Sequence, residues 1–159
     1  MPHHNAFIKD KDGNPSPPGL RVLGAFFPIE VHIPPPIAEA LAKEGKPIPT
    51  PVTGLGLIDT GATMTCVHED ILTSLGLNPT GVVNSGTAAG PVQQNVYPVR
   101  IVFPAQGWTL DVPAAGVNLT GQTTQLDPPQ PLIVLLGRNL LEQWILVWNG
   151  PAGHWAVAF

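Results

Sequence analysis

The chain has 159 residues, seven Lys and Arg against eleven Asp and Glu, a formal net charge of -4 and only 11% charged residues. That length suits one compact core, and the scattered basic residues exclude an electrostatic grip on nucleic acid or anionic membrane. A single cysteine, Cys66, excludes an intrachain disulfide.

Twenty prolines and seventeen glycines punctuate the chain. Long helices are therefore not expected, and short Val, Ile, Leu and Trp runs between the breakers read as mainly β. Residues 1–19 are polar and Pro-rich, without an apolar leader, and are expected to form a flexible N-terminal arm. The paired His3 and His4 read as solvated rather than metal-binding. Residues 20–33 read as extended, with Pro28 at an edge or bulge. Ile37 to Lys46 has a short amphipathic helical pattern, and a loop insertion is the preferred reading. Val52 to Asp59 is a strand ending in a turn, and residues 66–75 hold a short element. Val82 to Val92 is small and glycine-containing. Val96 to Phe103 and Trp108 to Ala115 are strands, and 118–131 is loop. Leu132 to Leu136 is apolar without alternation, as in a strand buried on both faces. Gly137 to Trp144 reads as one or two helical turns. Ile145 to Trp148 and His154 to Phe159 make a terminal hairpin. No apolar run reaches the roughly 18 residues that span a bilayer, so no membrane association is expected and a cytoplasmic location is the default.

The informative segment is Leu57-Ile58-Asp59-Thr60-Gly61-Ala62-Thr63. It sets a carboxylate at the end of an apolar strand, on a tight turn. Alone, the D-T-G triplet is as readily a turn or cap residue as a catalytic one. A second segment, Leu135-Leu136-Gly137-Arg138-Asn139-Leu140-Leu141, lies 78 positions later (137 - 59). Between them runs Asn84-Ser85-Gly86-Thr87-Ala88-Ala89-Gly90, uncharged and small.

Together these segments resemble the retropepsin-like aspartic proteases, closer to the cellular and bacterial relatives than to the viral enzymes. The resemblance implies a closed β-barrel, a single lobe of the acid-protease fold, with one short C-terminal helix, over residues 20–159. It implies that Asp59, Thr60 and Gly61 are catalytic, with the Thr60 hydroxyl bonding across a dimer axis. Ala62 and Thr63 would bind substrate, as would a flap containing Asn84, Ser85, Gly86, Thr87 and Ala88. Gly137, Arg138 and Asn139 would support the loop, and Trp148, Trp155 and Phe159 would anchor the core or dimer. Viral members carry an acidic partner for the arginine after D-T-G-A. Here Thr63 and Met64 stand there, so Glu69, Asp70 or a backbone carbonyl is expected to receive Arg138.

The chemistry follows independently of the family. Water attack on a peptide bond needs a base and an acid, and two carboxyls sharing one proton supply both. No second D-T-G or D-S-G occurs, so the second carboxyl must come from another copy, as an isologous dimer provides. The expected function is aspartic endopeptidase activity as a homodimer on peptide or protein substrates, with no metal and no cofactor. Ala62 offers the carboxylate no hydroxyl, so activity nearer neutral pH is expected. The alternative is a catalytically weak or silent module of the same fold that binds peptides or dimerises. Another is a structural domain whose proteolysis requires a partner or processing of the arm. Cys66 reads as an apolar neighbour of the loop, not a nucleophile. The Asn118-Leu119-Thr120 sequon has no supporting secretion signal.

Overall fold

The computed structural model describes residues 3–87, 90–123 and 128–158. Strands dominate: β1 (His3–Phe7), β2 (Phe26–His32), β3 (Val52–Ile58), β4 (Cys66–His68), β5 (Gly81–Thr87), β6 (Gly90–Phe103), β7 (Trp108–Val117), β8 (Leu132–Leu136), β9 (Ile145–Asn149) and β10 (His154–Ala158). Four short helices punctuate them: α1 (Pro17–Leu23), α2 (Pro35–Lys43), α3 (Glu69–Ser74) and α4 (Arg138–Leu141).

Six strands close a barrel in the order β2-β3-β8-β4-β7-β6, and β6 returns to β2 through Glu30↔Val102, Val31↔Ile101 and His32↔Arg100. Closure removes the open edges that an isolated sheet would expose. Two contacts are parallel, β3 with β8 and β4 with β7. Ile58 pairs with Leu136, so the chains leaving β3 and β8 emerge side by side at one end of the barrel. Strand β6 outruns the barrel, and its first seven residues pair instead with β5 as a hairpin (Gly81↔Val96 to Thr87↔Gly90).

The core is apolar and closely filled. Phe27, Phe103, Leu55, Ile101, Val67 and Leu136 are almost wholly buried inside the barrel strands. At one end, Phe27 meets Phe103 and Trp155 edge-on, at 5.1 Å and 4.9 Å between ring centroids. Trp108 and Trp144 extend the cluster. Edge-to-face pairs each add on the order of 1 kcal/mol beyond their buried area.

Three expectations change. The stretch expected as a loose arm is built in: β1 pairs along β10 from His3↔Ala158 to Phe7↔His154, and Ile8 is buried. Its polar composition hid alternation, with His4 and Ala6 turned inward while His3, Asn5 and Phe7 face out. Leu20 to Leu23, expected as extended, is helical because Ser16 caps α1, its Oγ accepting from the Gly19 amide, with proline in the first turn. Third, the 37–46 segment, preferred as a loop insertion, falls mostly in the helix α2 (Pro35–Lys43), which is led by prolines in its first turn and packs through half-buried Ile37, Ala38 and Leu41; the short C-terminal helix is present as expected, as α4.

Candidate active site

The turn after β3 places Asp59. Its amide donates to the Leu136 carbonyl at 3.0 Å, extending the β3–β8 contact by one residue. The chain then doubles back. The amides of Gly61 and Ala62 both donate to Asp59 Oδ1, at 2.9 Å and 3.2 Å. The carboxylate is thus fixed by its own loop, while Thr60, Gly61 and Thr63 are exposed.

The turn after β8 backs this loop. The Arg138 and Asn139 amides donate to the carbonyls of Ala62 and Thr63, at 2.9 Å and 3.1 Å. Arg138 Nη1 donates to the Thr60 carbonyl at 2.8 Å and to the Gly61 carbonyl at 3.3 Å, and Nη2 to Thr63 Oγ1 at 2.9 Å. Of the receivers expected for Arg138, backbone carbonyls are the ones used, joined by the Thr63 hydroxyl. Glu69 is engaged elsewhere, its Oε1 accepting from Tyr97 Oη at 2.9 Å and Asn95 Nδ2 at 3.2 Å. Asp70 lies 3.6 Å from His68.

Gly137 is a steric requirement. A Cβ there would collide with the carbonyl carbon and oxygen of Met64 and with the Thr65 amide nitrogen, all backbone atoms.

Thr65 is a site residue that sequence reasoning missed. It is polar yet fully buried, the one such residue among those described. Its hydroxyl donates to Asn139 Oδ1 at 2.9 Å and accepts from the Gly137 amide at 3.1 Å. Its amide also donates to Asn139 Oδ1, at 2.7 Å, and Asn139 Nδ2 reaches the Pro113 carbonyl of β7. Thr65 thereby joins both loops. A hydroxyl six positions after an Asp-Thr-Gly aspartate (65 - 59), set against an asparagine following Gly-Arg, was the available signal.

A cleft of about 390 Å³ opens over the loop. Its floor is Gly61, Ala62, Thr63 and Met64, with Cys66 and Leu135 beside them. The β5–β6 hairpin borders it through Val83, Asn84, Ser85, Gly86 and Gln94, and Ala115, Val117 and Leu119 form the remaining wall. Ser85 Oγ donates to Gln94 Oε1 across the hairpin at 2.7 Å. The substrate-binding residues expected from sequence therefore converge on one cleft, from Ala62 and Thr63 to Asn84, Ser85 and Gly86. Thr87 ends β5 opposite Gly90. Ala88 and Phe159 lie outside the described residues. A larger hollow of about 530 Å³, between Pro17, Pro18, Arg21, Trp148 and Gly150, shares no residue with this loop. The smaller cleft, by contrast, is floored by the residues that follow Asp59, although Asp59 itself is not among those that line it.

Cys66 contributes a protonated thiol. Burial, reinforced by the negative charge of Asp59, pushes it up to about 11, and its Sγ donates to the Met64 carbonyl at 3.3 Å. A thiol so far from ionisation is no nucleophile at neutral pH. Trp155 is buried in the aromatic cluster, whereas Trp148 is half exposed on β9. Among the described residues, no helix is long and apolar enough to cross a membrane.

Residues 45–140, more than half of the chain, match the family model for aspartyl proteases. The chain belongs to the aspartyl protease family. Two solved structures are similar to it. One is the solution structure of simian foamy virus (mac) protease, at 21% identity and a TM-score of 0.41, covering 72% of this chain and 91% of that one. The other is a retropepsin-like aspartic protease from Rickettsia conorii, at 16% identity and a TM-score of 0.44, covering 98% of this chain and 90% of that one. No curated protein matches the sequence.

Proposed function

We propose that the chain is an aspartic endopeptidase that works as a homodimer and hydrolyses peptide bonds with water held between two Asp59 carboxyls, one from each copy. The observation that carries this reading is the Asp59 carboxylate, pinned by two amides of its own loop, where that loop floors an open cleft.

One carboxylate per chain is half of what the reaction needs. Three of the other described aspartates serve other elements: Asp10 accepts from the Asp12 and Asn14 amides, Asp70 sits by His68, and Asp111 is paired with Arg100 at 2.7 Å. A twofold axis beside Thr60 would bring two Asp59 loops together. The ionised carboxylate takes a proton from the water, and the protonated one donates to the peptide carbonyl oxygen. The resulting tetrahedral diol collapses, the C–N bond breaks and the amine leaves with a proton. The β5–β6 hairpin acts as the flap, excluding water over the bound peptide.

The terminal sheet supplies the surface for pairing. β9 is the edge of the three-stranded β1-β10-β9 sheet, and it exposes Ile145 (59%), Val147 (49%) and Trp148 (50%). An apolar edge strand of this kind invites a second chain.

The test is subunit mixing. Wild-type chain is combined with rising fractions of Asp59→Asn chain, and peptide cleavage is followed. A shared dyad requires activity to fall as the square of the wild-type fraction. A linear fall would reject the homodimeric mechanism, and cleavage by the pure Asp59→Asn protein would reject Asp59 as the catalytic group.

A further inference from the structure

We infer that His68 is a positioning residue of the cleft, whose imidazole holds the Val117–Leu119 wall in place and thereby governs how tightly bulky apolar side chains are taken up. The inference deepens the reading of the cleft as a peptide site and rests on it.

The β4–β7 ladder ends at His68↔Val117. The next residues turn away from the barrel, with the Asn118 side chain accepting from the Thr120 amide at 2.9 Å. At this departure the His68 ring takes over from the ladder. The Leu119 amide donates to His68 Nδ1 at 3.1 Å. A backbone amide can only donate, so Nδ1 carries a lone pair there and the ring proton sits on Nε2. The 3.3 Å approach of the Val117 carbonyl to Nδ1 is then a close contact rather than a hydrogen bond. Nε2 faces the exposed Asp70 carboxylate at 3.6 Å, which favours this tautomer.

Two consequences follow. Val117 and Leu119 both line the cleft, whereas the exposed Asn118 between them does not. The imidazole, which is not among the cleft-lining residues, therefore fixes the spacing of two apolar side chains that are. Removing the acceptor leaves the half-buried Leu119 amide without its partner and lets the turn shift. The Asp59 loop is braced separately, by Arg138, Asn139 and Thr65, so it stays in place.

The experiment compares His68→Leu, which keeps bulk without an acceptor, with His68→Asn, whose Oδ1 can occupy the Nδ1 position. Amide exchange at Leu119 is measured together with KM and kcat for paired peptides carrying Leu or Ala at the side chain nearest this wall. In His68→Leu, exchange at Leu119 should accelerate about tenfold. KM for the Leu peptide should rise severalfold, while that for the Ala peptide and both kcat values stay within twofold. His68→Asn should restore both readouts. Unchanged KM in His68→Leu, or an equal loss in both variants, would overturn the inference. Absence of cleavage by the wild type would instead count against the proposed function. In that event the Kd of a non-cleavable reduced-bond peptide of the same sequence replaces KM, with the same expected and overturning results.

Discussion

Arg138 donates through Nη1 to the Thr60 carbonyl at 2.8 Å, across 78 positions of sequence. Together with the bonds to Gly61 and Thr63, it makes the guanidinium a clamp on the back of the Asp59 loop. The clamp is exposed, so its value lies below that of a buried charged hydrogen bond. Arg138→Ala should cost about 1 kcal/mol in urea unfolding. On the proposed mechanism the effect on kcat/KM should be larger, on the order of tenfold or more, because small displacements of the Asp59 carboxylate would be costly. Arg138→Lys should recover only part, since an ammonium cannot reproduce the fork.

Gly137→Ala should be far more damaging than its size suggests. The added methyl meets backbone atoms of Met64 and Thr65, which cannot rotate away. Several kcal/mol of destabilisation is expected, on the order of the worst overpacking changes. The control is Gly81→Ala, where the added methyl meets nothing within 4 Å. Thermal melts should separate the two, with the Gly81 variant close to wild type.

Thr65→Val preserves shape and removes one hydroxyl. It strands the Gly137 amide, which has that hydroxyl as its acceptor, and deprives Asn139 of one of two donors from residue 65. The expected loss is about 1–3 kcal/mol, the cost of an unsatisfied buried group. Thr65→Ser should retain most of the bonding and lose only packing. Chemical denaturation of both variants checks the ordering.

His4 makes the attachment of β1 sensitive to acid. Its ring packs 5.1 Å from Phe27 and 5.2 Å from Trp155, and its Nδ1 meets the Gln106 side-chain amide at 3.1 Å. Burial holds the imidazole below the ordinary histidine value of 6.5. A base whose folded-state value is depressed contributes stability that is fully present above its unfolded value, and that is lost as pH falls through the folded one. Amide-exchange protection of His3–Phe7 should therefore be full above about pH 6.5 and weaken on acidification. His4→Phe should remove that pH dependence. Protection that grows on acidification would contradict the assignment.

How much of this was readable beforehand differs by element. The Asp59 turn, β8 and the Gly-Arg-Asn turn were legible because their residues face severe local demands: a carboxylate at a strand end, a strand buried on both faces, a glycine against backbone. The bracing by Thr65 was not, because a threonine within a mixed run has no distinguishing pattern until its partner 74 positions away is in place. The helix α1 was missed although Ser16 followed by two prolines is a sound start signal; the apolar run after it was read by composition instead. Strand β1 was missed for another reason. Its partner is β10, and pairing between the two ends of a chain leaves no trace in either segment alone.

That last pairing has a consequence for how the molecule is made. The first strand finds its neighbour only in the last, and the Asp59 turn finds its backing only when β8 has emerged. A chain still on the ribosome therefore carries the Asp59 carboxylate on an unbraced loop until residues 132–139 have also been synthesised. Contacts so distant in sequence form slowly, so on the proposed mechanism biosynthesis itself delays proteolytic competence until that later stretch is in place.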